Sequence, residues 1–138
     1  GWMLIIAAAS TDMMSAQHTS RFIGPLLRWL APDISPATIA GVQLFIRKCA
    51  HLTEYAILGI LLARAFFRGE GKATARYAVL IWLTALVWAG LDEFHQSFVA
   101  SRTGSPIDVM IDATGALVGL GIYWLCTSRA RLAARAMT

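Results

Sequence analysis

Charge is what this sequence has least of. Only 14% of its residues are Asp, Glu, Lys or Arg, against 57% hydrophobic, and the mean hydropathy is +0.60. A soluble domain carries about 25% charged residues. The composition therefore excludes an ordinary water-exposed globule and points to a single integral membrane domain. Cysteine is nearly absent. Cys49 and Cys126 have no metal-type spacing, so they read as small buried hydrophobes rather than a disulfide or a ligand pair. No His-Glu-x-x-His motif is present. The net charge of +4 is modest, and its basic residues flank apolar runs. That placement suits anionic lipid headgroups and membrane orientation, and argues against nucleic acid.

The apolar runs set the architecture. Gly1 to Ala9 is apolar but too short to cross a bilayer, which takes about 20 residues. It is expected to be the end of a first, truncated spanning helix, since no basic n-region supports a signal-peptide remnant. Ser10 to Ser20 reads as loop. Arg21 to Leu30 reads as a short amphipathic helix on the interface, stopped by Pro32 and Pro36. Spanning helices are expected over 37–67, 75–98 and 107–126. Arg68-Gly69-Glu70-Gly71-Lys72 forms a turn between the first two, and residues 100–106 a loop between the last two. The fold expected is an all-α helical membrane bundle of the four-span type, with Tyr123 and Trp124 at one interface. Trp82, Trp88 and Trp124 read as belt or packing residues.

Arg64, Arg68, Lys72 and Arg76 surround one turn, and Arg129, Arg131 and Arg135 follow the last span. Both clusters fall on one side, which the positive-inside rule makes cytoplasmic, with the C-terminus. Three polar sets then reach a common level. Lys48, His51 and Glu54 lie in one run, Asp92, Glu93, His95 and Gln96 in the next, and Asp108 and Asp112 in the last. At 1.5 Å per residue these groups stand roughly 21–32 Å from the basic ends, in a hydrocarbon layer about 30 Å thick. All three sets belong to the outer layer.

Faces agree with depth. Lys48, His51, Glu54 and Tyr55 share an arc of roughly 120°, and Asp92, His95 and Gln96 one of roughly 100°. Asp108, Asp112, Gly115 and Gly119 fall on a stripe roughly 60° wide. Gly115 and Gly119 form a small-xxx-small pair, which marks that stripe as a packed face. A polar pocket between the helices, open to the outside, is the expectation.

At these residues the sequence resembles the VanZ-like family, small membrane proteins named for a glycopeptide (teicoplanin) resistance component. The matching pieces are Lys48-x-x-His51-x-x-x-Tyr55, Asp92-Glu93-x-x-Gln96, and Arg102-x-x-Ser105-x-x-Asp108 with Gly115 and Gly119 following. They cover roughly residues 48 to 119, and their order and spacing together are more specific than any one piece. Asp112 stands where the family more often has asparagine, a change that bears on metal or proton handling. Ala100-Ser101 replaces the usual Pro-Gly before the arginine. The resemblance implies a helical membrane protein with four spans in the bacterial cytoplasmic membrane. It supplies no settled reaction.

The residues allow several chemistries. His51 and His95 with Glu54, Asp92, Glu93, Asp108 or Asp112 would suit zinc, manganese or iron. The plainer reading is a network of ion pairs and hydrogen bonds. Lys48 and Arg102 could hold a phosphate or carboxylate, or simply neutralise nearby acids. Tyr55 could orient His51 or stack on a neighbour. Crowded carboxylates could supply an acid and a base, with His51, Asp92, Glu93 and Asp108 the catalytic candidates. Glu93 is expected to be merely neutralised, since it sits about 100° from Asp92. The leading expectation is binding of a lipid-linked envelope precursor or glycopeptide-like ligand. The rival is an intramembrane hydrolase or transferase on such a lipid. A relay across the bilayer is disfavoured, because the inner half of each span offers no groups. The sequence assigns no cofactor and no oligomeric state.

Overall fold

The computed structural model describes residues 1–9, 16–67, 75–98 and 105–136. Among these, five helices and no strands occur: α1 (Trp2–Ala9), α2 (Ala16–Leu30), α3 (Pro36–Phe66), α4 (Ala75–Gln96) and α5 (Pro106–Ala136). Three are long and apolar enough to cross a membrane, over Pro36–Phe66, Ala75–Gln96 and Pro106–Ala130. The chain is thus an all-α membrane bundle, as its composition requires. The expected span 107–126 is the start of a longer helix, because no proline or glycine interrupts 122–136. Helix α2 begins at Ala16, so the expected loop Ser10–Ser20 is partly helical.

Both long parallel helices start the same way, with Ser-Pro. Ser35 caps α3 by accepting from the Thr38 backbone N–H at 3.1 Å, and Pro36 takes the first helical position, where a missing N–H costs nothing. Ser105 and Pro106 repeat this at α5, where Asp108 complements the positive end of the helix dipole.

The bundle is inside out relative to a soluble protein. Phe45, Val87, Met110 and Leu125 face outward, while His51, Asp92, Glu93, Gln96, Asp108 and Asp112 are buried. Thr53, Thr84 and Thr114, exposed on the outer surface, bond back to their own i−4 carbonyls at 2.7–2.8 Å. A hydroxyl facing lipid has no other partner. Cys49 and Cys126 are also on that surface, as free thiols. The expectation that they are buried fails because in lipid an apolar neighbourhood marks the outer surface as readily as the core.

That seam joins α3 to α5. A Cβ at Gly115 would strike the backbone of Leu52, one at Gly119 that of Ala56, and one at Gly59 that of Ala116. Lys48 with Asp108, His51 with Asp112, Leu52 with Gly115 and Ala56 with Gly119 advance together along the two helices, so α3 and α5 run parallel. Helix α4 runs antiparallel beside them. At the basic end Phe67 stacks on Tyr123 at 5.9 Å and meets Tyr77 edge-on at 6.3 Å, which brings the ends of all three spans to one level. Mid-bundle, Ile6 of α1 packs with Tyr55, Leu58, Ala85, Ala89 and Ala116. Trp2 donates from Nε1 to the Glu54 carbonyl at 3.0 Å. Eight residues of α1 span only about 12 Å, so it fills one part of the bundle's depth.

Candidate functional site

The site lies where the middle of α3 meets the C-terminal end of α4 and the Ser-Pro start of α5. From α3, Lys48 and His51 project one turn apart onto the α5 face. Lys48 Nζ donates to Asp108 Oδ1, and Arg47 adds an ion pair to Asp108 Oδ2 at 3.6 Å. One turn along, His51 Nδ1 stands 3.0 Å from Asp112 Oδ1. With Asp112 ionised the ring nitrogen carries the proton of this contact, since a carboxylate only accepts. From α4, Gln96 donates from Nε2 to Asp92 Oδ2 at 2.9 Å within the buried face. Glu93 reaches across to the start of α5, where its Oε2 accepts the Ser105 N–H at 2.7 Å. That bond satisfies a backbone donor the helix start would otherwise leave open.

Three of these groups form a compact set. His51, Glu93 and Asp112 each place one ligating atom within 4.8 Å of the others, and all three are buried. Among the described residues, Glu93 Oε1 and Asp112 Oδ2 have no hydrogen-bond partner, and neither has the Tyr55 hydroxyl. Tyr55 is fully enclosed one turn beyond His51. Four carboxylates are at most 6% exposed, whereas Lys48 and Arg47, which both serve Asp108, keep about a quarter of their side-chain surface. Among the described residues, buried acid exceeds buried fixed base.

The remaining expected residues divide. Glu54 is half-buried, on the side of α3 where Trp2 docks. His95 is exposed on α4 and stands apart from the set. The helix explains this: Ala85, Ala89, Asp92, Glu93 and Gln96 form the inner face, and His95 lies roughly 100° from its centre. Glu93, expected to be merely neutralised, is central instead for the same reason. Arg102 lies outside the described residues. Arg47 was not anticipated, although its place one turn before His51 was visible in the chain. The Trp82 bond to the Ala113 carbonyl, 3.0 Å from Nε1, leaves no trace in the sequence.

Beside the set a cleft of about 400 Å³ opens at the bundle surface. Glu93, Ser97 and Ser105 contribute polar groups to its lining, and Phe94, Pro106 and Val109 apolar surface. Glu93 thus belongs to both the buried set and the cleft wall. The arrangement can hold a cation, exchange a proton between imidazole and carboxylate, and seat an amphiphile's polar end beside both.

The model of a family described as VanZ/LLP1 matches residues 2–127 of the 138-residue chain. No curated protein and no solved structure matches it.

Proposed function

The chain belongs to the VanZ-like family of membrane proteins, and from that premise we propose that it binds a lipid-linked or glycopeptide-like ligand of the bacterial cell envelope. The observation that carries this reading is the cleft of mixed polar and apolar lining at Glu93. Ser97 and Ser105 offer hydroxyls to a polar head while Phe94, Pro106 and Val109 offer apolar surface to a chain. Such pockets fix orientation with few polar groups and gain affinity from apolar ones. Arg102, three residues before the cleft wall, supplies a cation for a phosphate or carboxylate. In this reading the protein sits in the cytoplasmic membrane with its C-terminus inside and the cleft in the outer layer, and it acts in glycopeptide (teicoplanin) resistance.

Binding of a lipid-linked cell-wall precursor and of a lipoglycopeptide to the purified protein in nanodiscs tests it. Val109→Trp fills the cleft and Arg102→Ala removes the cation. Wild type should bind at least one class, and each variant should weaken that binding at least tenfold. Failure of wild type to bind either class, or unchanged binding by Val109→Trp, overturns the reading.

A second reading is favoured by the His51–Asp112 pair with Glu93 beside it: an intramembrane hydrolase or transferase on the same kind of lipid. A proton held between imidazole and carboxylate is the part such chemistry needs. It requires His51→Ala and Asp92→Asn to abolish turnover in protein that still elutes as folded. Turnover surviving in either variant removes it.

A further inference from the structure

We propose that His51, Glu93 and Asp112 form a binding site for one divalent transition-metal ion, of the zinc or manganese class. The buried set gives the donors, and its orphaned oxygens give the need. Unpartnered buried carboxylate oxygens are costly and call for an explanation. Glu93 Oε1 and Asp112 Oδ2 are such atoms, on side chains 5% and 0% exposed. Both belong to the three residues whose ligating atoms lie within 4.8 Å of one another.

The His51–Asp112 geometry fits an ion in place of the ring proton. Their Nδ1 and Oδ1 atoms are 3.0 Å apart. Two ligands at about 2.1 Å from one metal subtend roughly 90° at that separation. Small movement of the Glu93 carboxylate then supplies a third ligand, while its Oε2 keeps the Ser105 N–H. Charge closes as well. Neutral imidazole with two carboxylates balances a doubly charged ion, whereas Lys48 and Arg47 are already committed to Asp108. A nitrogen donor with two carboxylates favours zinc or manganese over magnesium or calcium. Binding releases the Nδ1 proton to solvent. Three protein ligands leave at least one position open, and Glu93 borders the cleft. This site stands on the buried set alone, independently of what the cleft binds.

The experiment uses the full chain with Cys49→Ser and Cys126→Ser, which removes exposed thiols that would take up zinc. Protein purified in detergent is stripped with chelator and titrated with Zn²⁺ and Mn²⁺. Elemental analysis should find one ion per chain, and the melting temperature should rise on loading. Glu93→Gln and Asp112→Asn should each weaken binding at least tenfold, and the exposed control Asp33→Asn should not. Cobalt loading of wild type gives a readout that survives variants failing to fold: a nitrogen-ligated visible spectrum is expected. No retained ion, no cobalt spectrum, or equal affinity in folded Glu93→Gln overturns the proposal. An apo melting temperature that metal leaves unchanged means protons alone neutralise the set, which overturns it too. Metal bound without any envelope ligand would leave this site standing and remove only the cleft reading.

Discussion

Gly119→Ala tests whether the α3–α5 seam holds the site together. The added Cβ would lie 2.8 Å from the Ala56 carbonyl carbon and 3.0 Å from its Cα, and its closest contact would be the carbonyl oxygen. Ordinary contact begins at 3.4 Å, so the helices must part by at least the difference, 0.6 Å. The obstacle is backbone, which cannot rotate away as a side chain would. Overpacking of this kind costs about 1–3 kcal/mol. The same displacement carried along rigid helices would stretch the 3.0 Å contact between His51 and Asp112 to 3.6 Å, past a useful hydrogen bond. Gly121→Ala, two residues on, is the control, because nothing lies within 4 Å of its Cβ. There alanine gains about 0.5–1 kcal/mol from helix propensity. Thermal unfolding in detergent, followed by circular dichroism, should place Gly119→Ala at least about 5 °C below Gly121→Ala. Equal melting of the two variants would show that the seam is not tight and would refute the reasoning.

Other perturbations probe the remaining contacts. Asp108→Asn strands Lys48 and Arg47. Because both cations are partly exposed, the loss should be about 1–2 kcal/mol, below the 3–5 kcal/mol of an enclosed pair. Lys48→Met in that background should recover part of it in the same melting assay. Trp82→Phe removes the bond to the Ala113 carbonyl and should cost about 1 kcal/mol; an unchanged melting temperature would mean the indole is held by packing alone. In a Cys49→Ser/Cys126→Ser chain, Asp33→Cys should react with an impermeant maleimide added to intact cells, and Ala130→Cys only after lysis. The opposite pattern would invert the proposed orientation.

The spans and the level of the polar sets were legible because hydrocarbon thickness and helical rise leave little freedom. Lys48, His51, Asp108 and Asp112 could be placed on facing stripes from spacing, and they do pair across α3 and α5. What spacing could not give was the rotation of α4. Asp92, His95 and Gln96 share an arc, and so do Asp92, Glu93 and Gln96; only packing against Ala116 through Ala85 and Ala89 decides which arc turns inward. The choice brought Glu93 in and left His95 out. The cysteines were misjudged for a related reason. In lipid an apolar neighbourhood marks the outside as readily as the core, so hydrophobic context no longer reports burial.

The seam and the polar set are best understood as one device. Desolvating four carboxylates works against folding, and among the described residues no group satisfies one oxygen each of Glu93 and Asp112. Helix association in lipid gains little from apolar burial, so close backbone contact must offset that cost. Gly115 sits one turn below Asp112 and presses on Leu52, the residue after His51. A backbone contact of the two helices thus lies immediately beside the most costly pair, and the tighter one, Gly119 on Ala56, follows one turn on. If the acids served only as glue, the seam would make them redundant, since it already fixes register and distance between α3 and α5. The metal site proposed above gives Glu93 and Asp112 a use that the seam does not, since an ion there would take the oxygens left without a partner.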